Sequence, residues 1–354
     1  MKKTAQKFVG IWLIIGLIMV FFQVIIGGVT RLTDSGLSIT EWKVILGAVP
    51  PTNEAEWQVA FDQYKTHAKQ QYESLHSDMS LKEFKGIYFW EWLHRNWARL
   101  MSLVFLFPFL FFLIKKWLPK WLIGRLTIVI LLAGLAGAMG WIMVASGLNE
   151  DNRTWVSAYK LVAHLSIATL LFAYLFWTVM RVLQPTTADF SLVKGKKWSW
   201  IIVLLLFLQI MIGGLMAGMR AGLIHPHWPF FMGNNYLFEA LGQTQSLSTD
   251  LLINYEPSVF IKAAVQILHR TLASILVIAS IAFTFFTIKK DISLRLEKSL
   301  WLMLIILAIQ FGLGVFTVLA AFPKVPVGLG TAHQGVALLL LATWLRIAYQ
   351  FRKG

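Results

Sequence analysis

Eight long apolar stretches punctuate the chain, roughly at 8–29, 89–114, 124–146, 159–181, 198–219, 260–288, 299–321 and 331–351. Each is long enough to cross a bilayer as a helix, which takes about 20 residues. The first is too long and too early for a cleaved signal peptide, and no small-residue cleavage pattern follows it. Between the first two lies a long polar segment, 30–88, predicted to be an outer loop. Pro50-Pro51 break it, and Asn53 with Glu56 resembles a capping box. The helix that follows carries Trp57, Phe61 and Tyr64 on one face, as expected of a surface helix lying on the membrane or on the bundle. Ser80 with Glu83 repeats the cap signal before span two.

The spans repeat. Gln23-Val-Ile-Ile-Gly27-Gly28 closes span one, and Gln209-Ile-Met-Ile-Gly213-Gly214 closes span five. His94-Arg95-x-x-Ala98 in span two answers His269-Arg270-x-x-Ala273 in span six. Ala163-His164-x-x-x-Ala168 in span four answers Ala332-His333-x-x-x-Ala337 in span eight. Four spans per half is an even number, so both halves insert with one orientation. The expected fold is therefore an all-α integral membrane protein with eight transmembrane helices. They form two tandem four-helix bundles related by a pseudo-two-fold axis along the membrane normal. The expected domains are 1–183, a cytoplasmic linker at 184–197, and 198–354. The Gly-Gly pairs suit close helix packing.

The net charge is +15, with 57% hydrophobic and 14% charged residues. The lysines and arginines before span one and after spans two, four, six and eight fall on one side if both termini are cytoplasmic. The basic balance thus follows from topology, and no nucleic-acid partner is needed to explain it. There is no cysteine, which excludes disulfides, thiolate haem ligation and cysteine redox relays. Histidine, methionine and carboxylates remain as iron ligands.

An ionisable side chain inside a span usually marks function. His94, His164, His269 and His333 each lie within the first turns of an even-numbered span, at one expected depth near the outer leaflet. Two pairs of facing imidazoles are how a helix bundle holds haem iron. Glu91 sits three residues before His94, on the same helical face. A carboxylate there can move protons or stabilise developing positive charge, or it can simply pair with Arg95 or Arg99. Arg95 and Arg270 suit haem propionates, or they can snorkel to headgroups. His67 and His76 read as solvated loop histidines. His225 and His227 flank Pro226 and resemble a metal pair only weakly.

Gly27-Gly-Val-Thr-Arg-Leu-Thr, Gly36-Leu-Ser-Ile-Thr-Glu-Trp-Lys43, Met79-Ser-Leu-x-Glu83-Phe-Lys85 and Trp90-Glu-Trp-x-His-Arg95 together resemble the haem A synthase family. The similarity is to its mitochondrial and Gram-negative, cysteine-free branch. It continues through Ser157-Ala-Tyr-Lys-Leu-Val-Ala-His164, Gly218-Met-Arg-Ala-Gly222, His269-Arg270 and Thr331-Ala-His-Gln334. The resemblance implies conversion of haem O to haem A for terminal oxidases, by oxidation of a ring methyl to a formyl group through hydroxylated intermediates. It assigns His94 and His164 to the substrate haem, His269 and His333 to a resident haem b, and an essential carboxylate to Glu91. It also implies an inner-membrane location with both termini cytoplasmic. The implied partners are an electron donor of unidentified kind, haem O synthase and the oxidase-assembly machinery. The chain departs from the family at Trp228-Pro-Phe-Phe-Met232, where an Asp is missing, and at Asn96-Trp97, where small residues are common. A di-haem b, quinol-oxidising electron carrier would explain the four histidines but not Glu91 or the long first loop. A transporter would need broken helices, for which Pro108 is the nearest candidate.

Overall fold

The structure is a computed structural model that describes residues 2–42, 46–148, 154–184, 193–229 and 252–352. Part of the linker (185–192), the Phe230-Phe-Met232 departure and Lys353 lie outside the described residues. The described residues form ten α-helices: α1 (Lys3–Leu32), α2 (Glu54–His67), α3 (Lys69–Leu75), α4 (Leu81–Ile114), α5 (Lys120–Leu148), α6 (Ala158–Leu183), α7 (Val193–Gly218), α8 (Val259–Ile288), α9 (Leu294–Leu319) and α10 (Val327–Gln350). All except α2 and α3 are long and apolar enough to cross a membrane, as the hydrophobic pattern predicts. In hydrocarbon each backbone amide must be paired within the chain, so helices are the only solution open to such runs short of a closed barrel. Pro108 sits inside α4, which runs unbroken from Leu81 to Ile114.

The chain divides into two compact units, Met1–Leu175 and Phe176–Gly354, with the boundary inside α6. In the first unit α1 packs along α4. The Trp12 indole donates to the Val104 carbonyl at 3.1 Å, and the Trp97 indole donates to that of Met19 at 2.9 Å. These bonds satisfy polar atoms that lipid could not. On α5, Arg125 lies 4.1 Å over the ring of Tyr174 on α6.

At 34 residues, α4 is about 51 Å long against a hydrocarbon core of about 30 Å. Its first turns therefore stand outside the apolar span expected at 89–114. The Ser80–Glu83 capping box starts it as expected. These outer turns carry Phe84 and Tyr88 against α2. Phe61, Tyr64, Phe84 and Leu37 form a buried cluster joined by Trp57, Met143 and Val144. So α2 lies on the bundle, held by the face the spacing assigns to it. Asn53 caps it by accepting from the Glu56 amide at 3.0 Å. His67 is exposed as expected, but His76 is not an ordinary solvated histidine. Its Nδ1 is 2.6 Å from the hydroxyl of the fully buried Tyr64, which also donates to Gln71.

In the second unit α7 packs on α8 and α10, and α9 packs on α10 and α8. The last half of α10 is buried on nearly all sides, through Leu338, Leu341, Trp344, Leu345 and Tyr349. Tyr349 is placed by its hydroxyl, which donates to the Gln184 carbonyl at 2.6 Å, and by Trp177, whose ring meets it edge-on at 5.0 Å. A helix apolar all round is a helix buried all round. By contrast, Ile278 and Phe286 on α8 and Phe316 on α9 are exposed, as lipid-facing positions should be. The sequence repeat extends into the backbone. Asp34 and Arg220, each seven residues past the matching Gly27 and Gly213, both adopt left-handed φ, at 56° and 53°.

Candidate functional site

Each unit brings its two predicted histidines together. His269 on α8 and His333 on α10 face one another with ring centroids 6.5 Å apart and planes at 72°. Metal–imidazole bonds of about 2 Å would put two such centroids about 6.4 Å apart across one metal ion. In the first unit His94 on α4 faces Gly27 of α1, and His164 on α6 faces Gly140 of α5. The His164 Nδ1 is 2.9 Å from the Ala136 carbonyl. In the neutral ring Nδ1 then carries the proton, and Nε2 keeps its lone pair for a metal. Among the described residues no three His, Cys, Asp or Glu side chains converge on a point. An imidazole pair suits an iron whose other ligands come from a macrocycle. The donor set and the spacing thus fit haem.

Glutamines contact three of the four histidines, Gln310 reaching His333 Nε2 at 3.5 Å. Gln23 Nε2 donates to the His94 carbonyl at 3.1 Å, and Gln209 Nε2 donates to the His269 carbonyl at 3.0 Å. Gln209 also lies 3.1 Å from the His269 Nδ1. The Gly-Gly pairs at 27–28 and 213–214 do more than let helices approach, because Gly27 and Gly213 each face a histidine ring.

Glu91 is 3% exposed. Its Oε2 accepts from the Ser38 hydroxyl and the Ile39 amide, both at 2.8 Å. Its Oε1 pairs with Arg95 at 2.5 Å. Arg95 also donates to the carbonyls of Ile39 at 2.7 Å and Glu41 at 3.0 Å, and it lies 5.2 Å over the Trp42 ring. The Glu91–Arg95 pair is therefore the peg around which the first outer loop is wrapped. Gly36-Leu-Ser-Ile-Thr-Glu-Trp, so specific as a string, is the stretch that touches that peg. Leu37 extends the wrap by seating against Gly147, where any Cβ would come within 2.8 Å of it. Asn96 and Trp92 add donors to the Ala48 carbonyl at 2.9 and 3.0 Å. That contact explains why a polar residue at 96 is useful here.

The second unit repeats the clamp. Arg270 donates to the carbonyls of His225 at 3.3 Å and His227 at 2.8 Å. These two residues are the repeat equivalents of Ile39 and Glu41, counted from Gly213 and Gly27. His225 and His227 therefore serve through their backbones. His225 is buried, and that burial, reinforced by the charges of Arg270 and His227, lowers its proton affinity. The clamps also differ three residues before the first histidine of each pair. Where the first has Glu91, the second has Gln266, fully buried and donating weakly to the carbonyls of Ala221 at 3.4 Å and His225 at 3.3 Å. The sequence signal was available, since Gln266 lies three residues before His269 as Glu91 lies before His94. An amide simply draws no notice in a search for titratable groups.

The sequence pattern of the COX15-CtaA family, described as cytochrome oxidase assembly protein, matches residues 10–345. Heme A synthase from Flavobacterium psychrophilum is 38% identical, over 98% of this chain and 99% of its own. Heme A synthase from Flavobacterium johnsoniae is 37% identical, over 99% of this chain and all of its own, and that from a Caulobacter species is 35% identical over 100% and 98%. A match of this extent, over a chain with a repeated pair of histidines in each unit, places the protein in the heme A synthase family of cytochrome oxidase assembly proteins.

Proposed function

We propose that the protein is a haem A synthase that spans the inner membrane with both termini cytoplasmic. It oxidises a ring methyl of haem O to a formyl group. His94 and His164 hold the substrate haem O, and His269 and His333 hold a resident haem b. A haem b so held supplies one-electron transfer. Arg95 and Arg270 bring positive charge beside each pair, where haem propionates need it.

The observation that carries this division is the Glu91/Gln266 difference between two clamps that share an arginine bonded to two loop carbonyls. Each C–H bond broken between methyl and aldehyde leaves a proton to be moved off the carbon, while its electrons pass to the oxidant that serves the site. Among the described residues, only the first unit has a carboxylate three residues before its first paired histidine, where it could take up such a proton. The second has an amide there, which holds the loop without offering a base. Glu91 is within one helical turn of His94, and its buried network with Ser38, Ile39 and Arg95 fixes its direction.

The test is pigment analysis of protein produced in a host that makes haem O but lacks its own haem A synthase. The wild-type chain should yield haem A and retain haem b. Glu91→Gln should retain both haems while haem O or a hydroxylated product accumulates. A preparation that holds only haem b, with no haem O or haem A under any supply, would instead indicate an electron carrier.

A further inference from the structure

A glycine stands behind each of the four histidines, on the long helix that precedes it. A Cβ on Gly27 of α1 would lie 3.1 Å from the His94 ring, and one on Gly140 of α5 would lie 3.1 Å from His164. On Gly213 of α7 it would lie 3.3 Å from His269, and on Gly314 of α9 it would lie 2.9 Å from His333. Other glycines of α5 and α9 make no such contact. A Cβ on Gly134, Gly137 or Gly312 would meet nothing within 4 Å. The contact is thus specific to the helix position facing the imidazole, and it recurs in all four places.

The ring edge involved is the same at three of the four. Gly140, Gly213 and Gly314 each face Cε1 most closely, with Nδ1 next. Gly27 faces Nε2 and Cδ2 of His94. A half-turn of that ring exchanges Cε1 with Nε2 and Nδ1 with Cδ2 without changing its shape, and gives the contact seen at the other three.

We propose that Gly27, Gly140, Gly213 and Gly314 are positioning residues, which set how far each ligand imidazole stands from its neighbouring helix and how its plane is turned. This rests on the reading that the histidine pairs hold haem. Imidazole planes are fixed by what surrounds them, and outer-shell support governs ligand strength. With a methyl group in the glycine's place the ring must tilt or withdraw, because a helix backbone cannot give way as a flexible side chain can. The four sites should respond in order of crowding, with Gly314 most sensitive and Gly213 least.

The experiment compares purified Gly314→Ala, Gly140→Ala and Gly213→Ala with Gly312→Ala and Gly137→Ala, all as full chains. Haem retention on dilution, the electron paramagnetic resonance of the oxidised protein and helix content are read for each. Alanine favours a helix over glycine, so helix content should hold in every variant. Gly314→Ala should weaken haem retention about ten-fold, the lower end for loss of outer-shell support, and move its low-spin resonance. Gly140→Ala should be intermediate and Gly213→Ala slight, with the two controls matching wild type. These two milder variants carry the ranking if Gly314→Ala fails to accumulate. Wild-type resonance and retention in Gly314→Ala and Gly140→Ala, or an equal change in Gly312→Ala, would overturn the proposal. His333→Ala separates the two levels. If it keeps the wild-type spectrum, the ligand assignment falls and the proposal falls with it. If it loses the signal while the glycine variants do not, only the glycine role is wrong.

Discussion

Glu91→Gln removes one negative charge from a buried node of three hydrogen bonds while leaving the side chain's size unchanged. The amide oxygen can still accept from Ser38 and Ile39, but the amide nitrogen then faces the Arg95 guanidinium in place of an oxygen. The lost bond is charge-assisted, and losing one costs about 1.5–3 kcal/mol. Arg95 keeps its bonds to the Ile39 and Glu41 carbonyls and its place over Trp42, so the loop should stay wrapped. Removing the side chain altogether with Glu91→Ala would strand Arg95 and cost about 3–5 kcal/mol. If Glu91 handles protons, Glu91→Gln should lower turnover of haem O by about 10²- to 10⁴-fold, the usual contribution of a general acid or base. If it only pegs the loop, turnover should fall no further than loop integrity does. Arg95→Lys supplies the comparison. It keeps a cation near Glu91 but gives up the fork that holds two carbonyls, so it loosens the loop and spares the carboxylate. The assay measures haem A formed per protein-bound haem O, beside limited proteolysis of the 33–80 loop. Turnover in Glu91→Gln that falls only as far as its loop loosens, in the same proportion as in Arg95→Lys, would refute a chemical role for Glu91.

The other expectations concern the ligands, the second clamp and the outer loop. His269→Ala and His333→Ala should each remove the low-spin haem b absorption of the purified protein; unchanged spectra in both would contradict the ligand pair. Gln266→Glu should destabilise the protein by about 1–3 kcal/mol, because it turns a buried donor into an acceptor facing the Ala221 and His225 carbonyls. A thermal midpoint at or above wild type would show that Arg270 absorbs the new charge. Tyr64→Phe deletes the hydroxyl shared with His76 and Gln71 and should cost about 0.5–1.5 kcal/mol, read as easier proteolysis near residue 76. A reporter fused after Lys353 should be active only in its cytoplasmic form, and activity outside would reverse the topology.

The long helices were legible in the sequence because membrane solvent leaves an apolar run of that length almost no alternative to a helix. The start of α4 was legible in the Ser80–Glu83 cap signal, but the packing of its outer turns onto α2 through Phe84 was not. The histidines could be named from sequence since they are costly in lipid and recur in register. Which helix stands behind each one could not, because Gly27 and His94 are far apart in the chain and a glycine carries no chemical signal of its own. Arg95 and Arg270 show the same limit. Sequence placed each beside its histidine, but only the folded chain brought Ile39 and Glu41, or His225 and His227, within reach of the guanidinium. Sequence alone therefore fixed what local physics dictates: the spans, the repeat and the histidines that recur in it. The loop wrapped on Glu91 and the glycines at the imidazoles were decided by long-range contacts, whose partners no local pattern specifies.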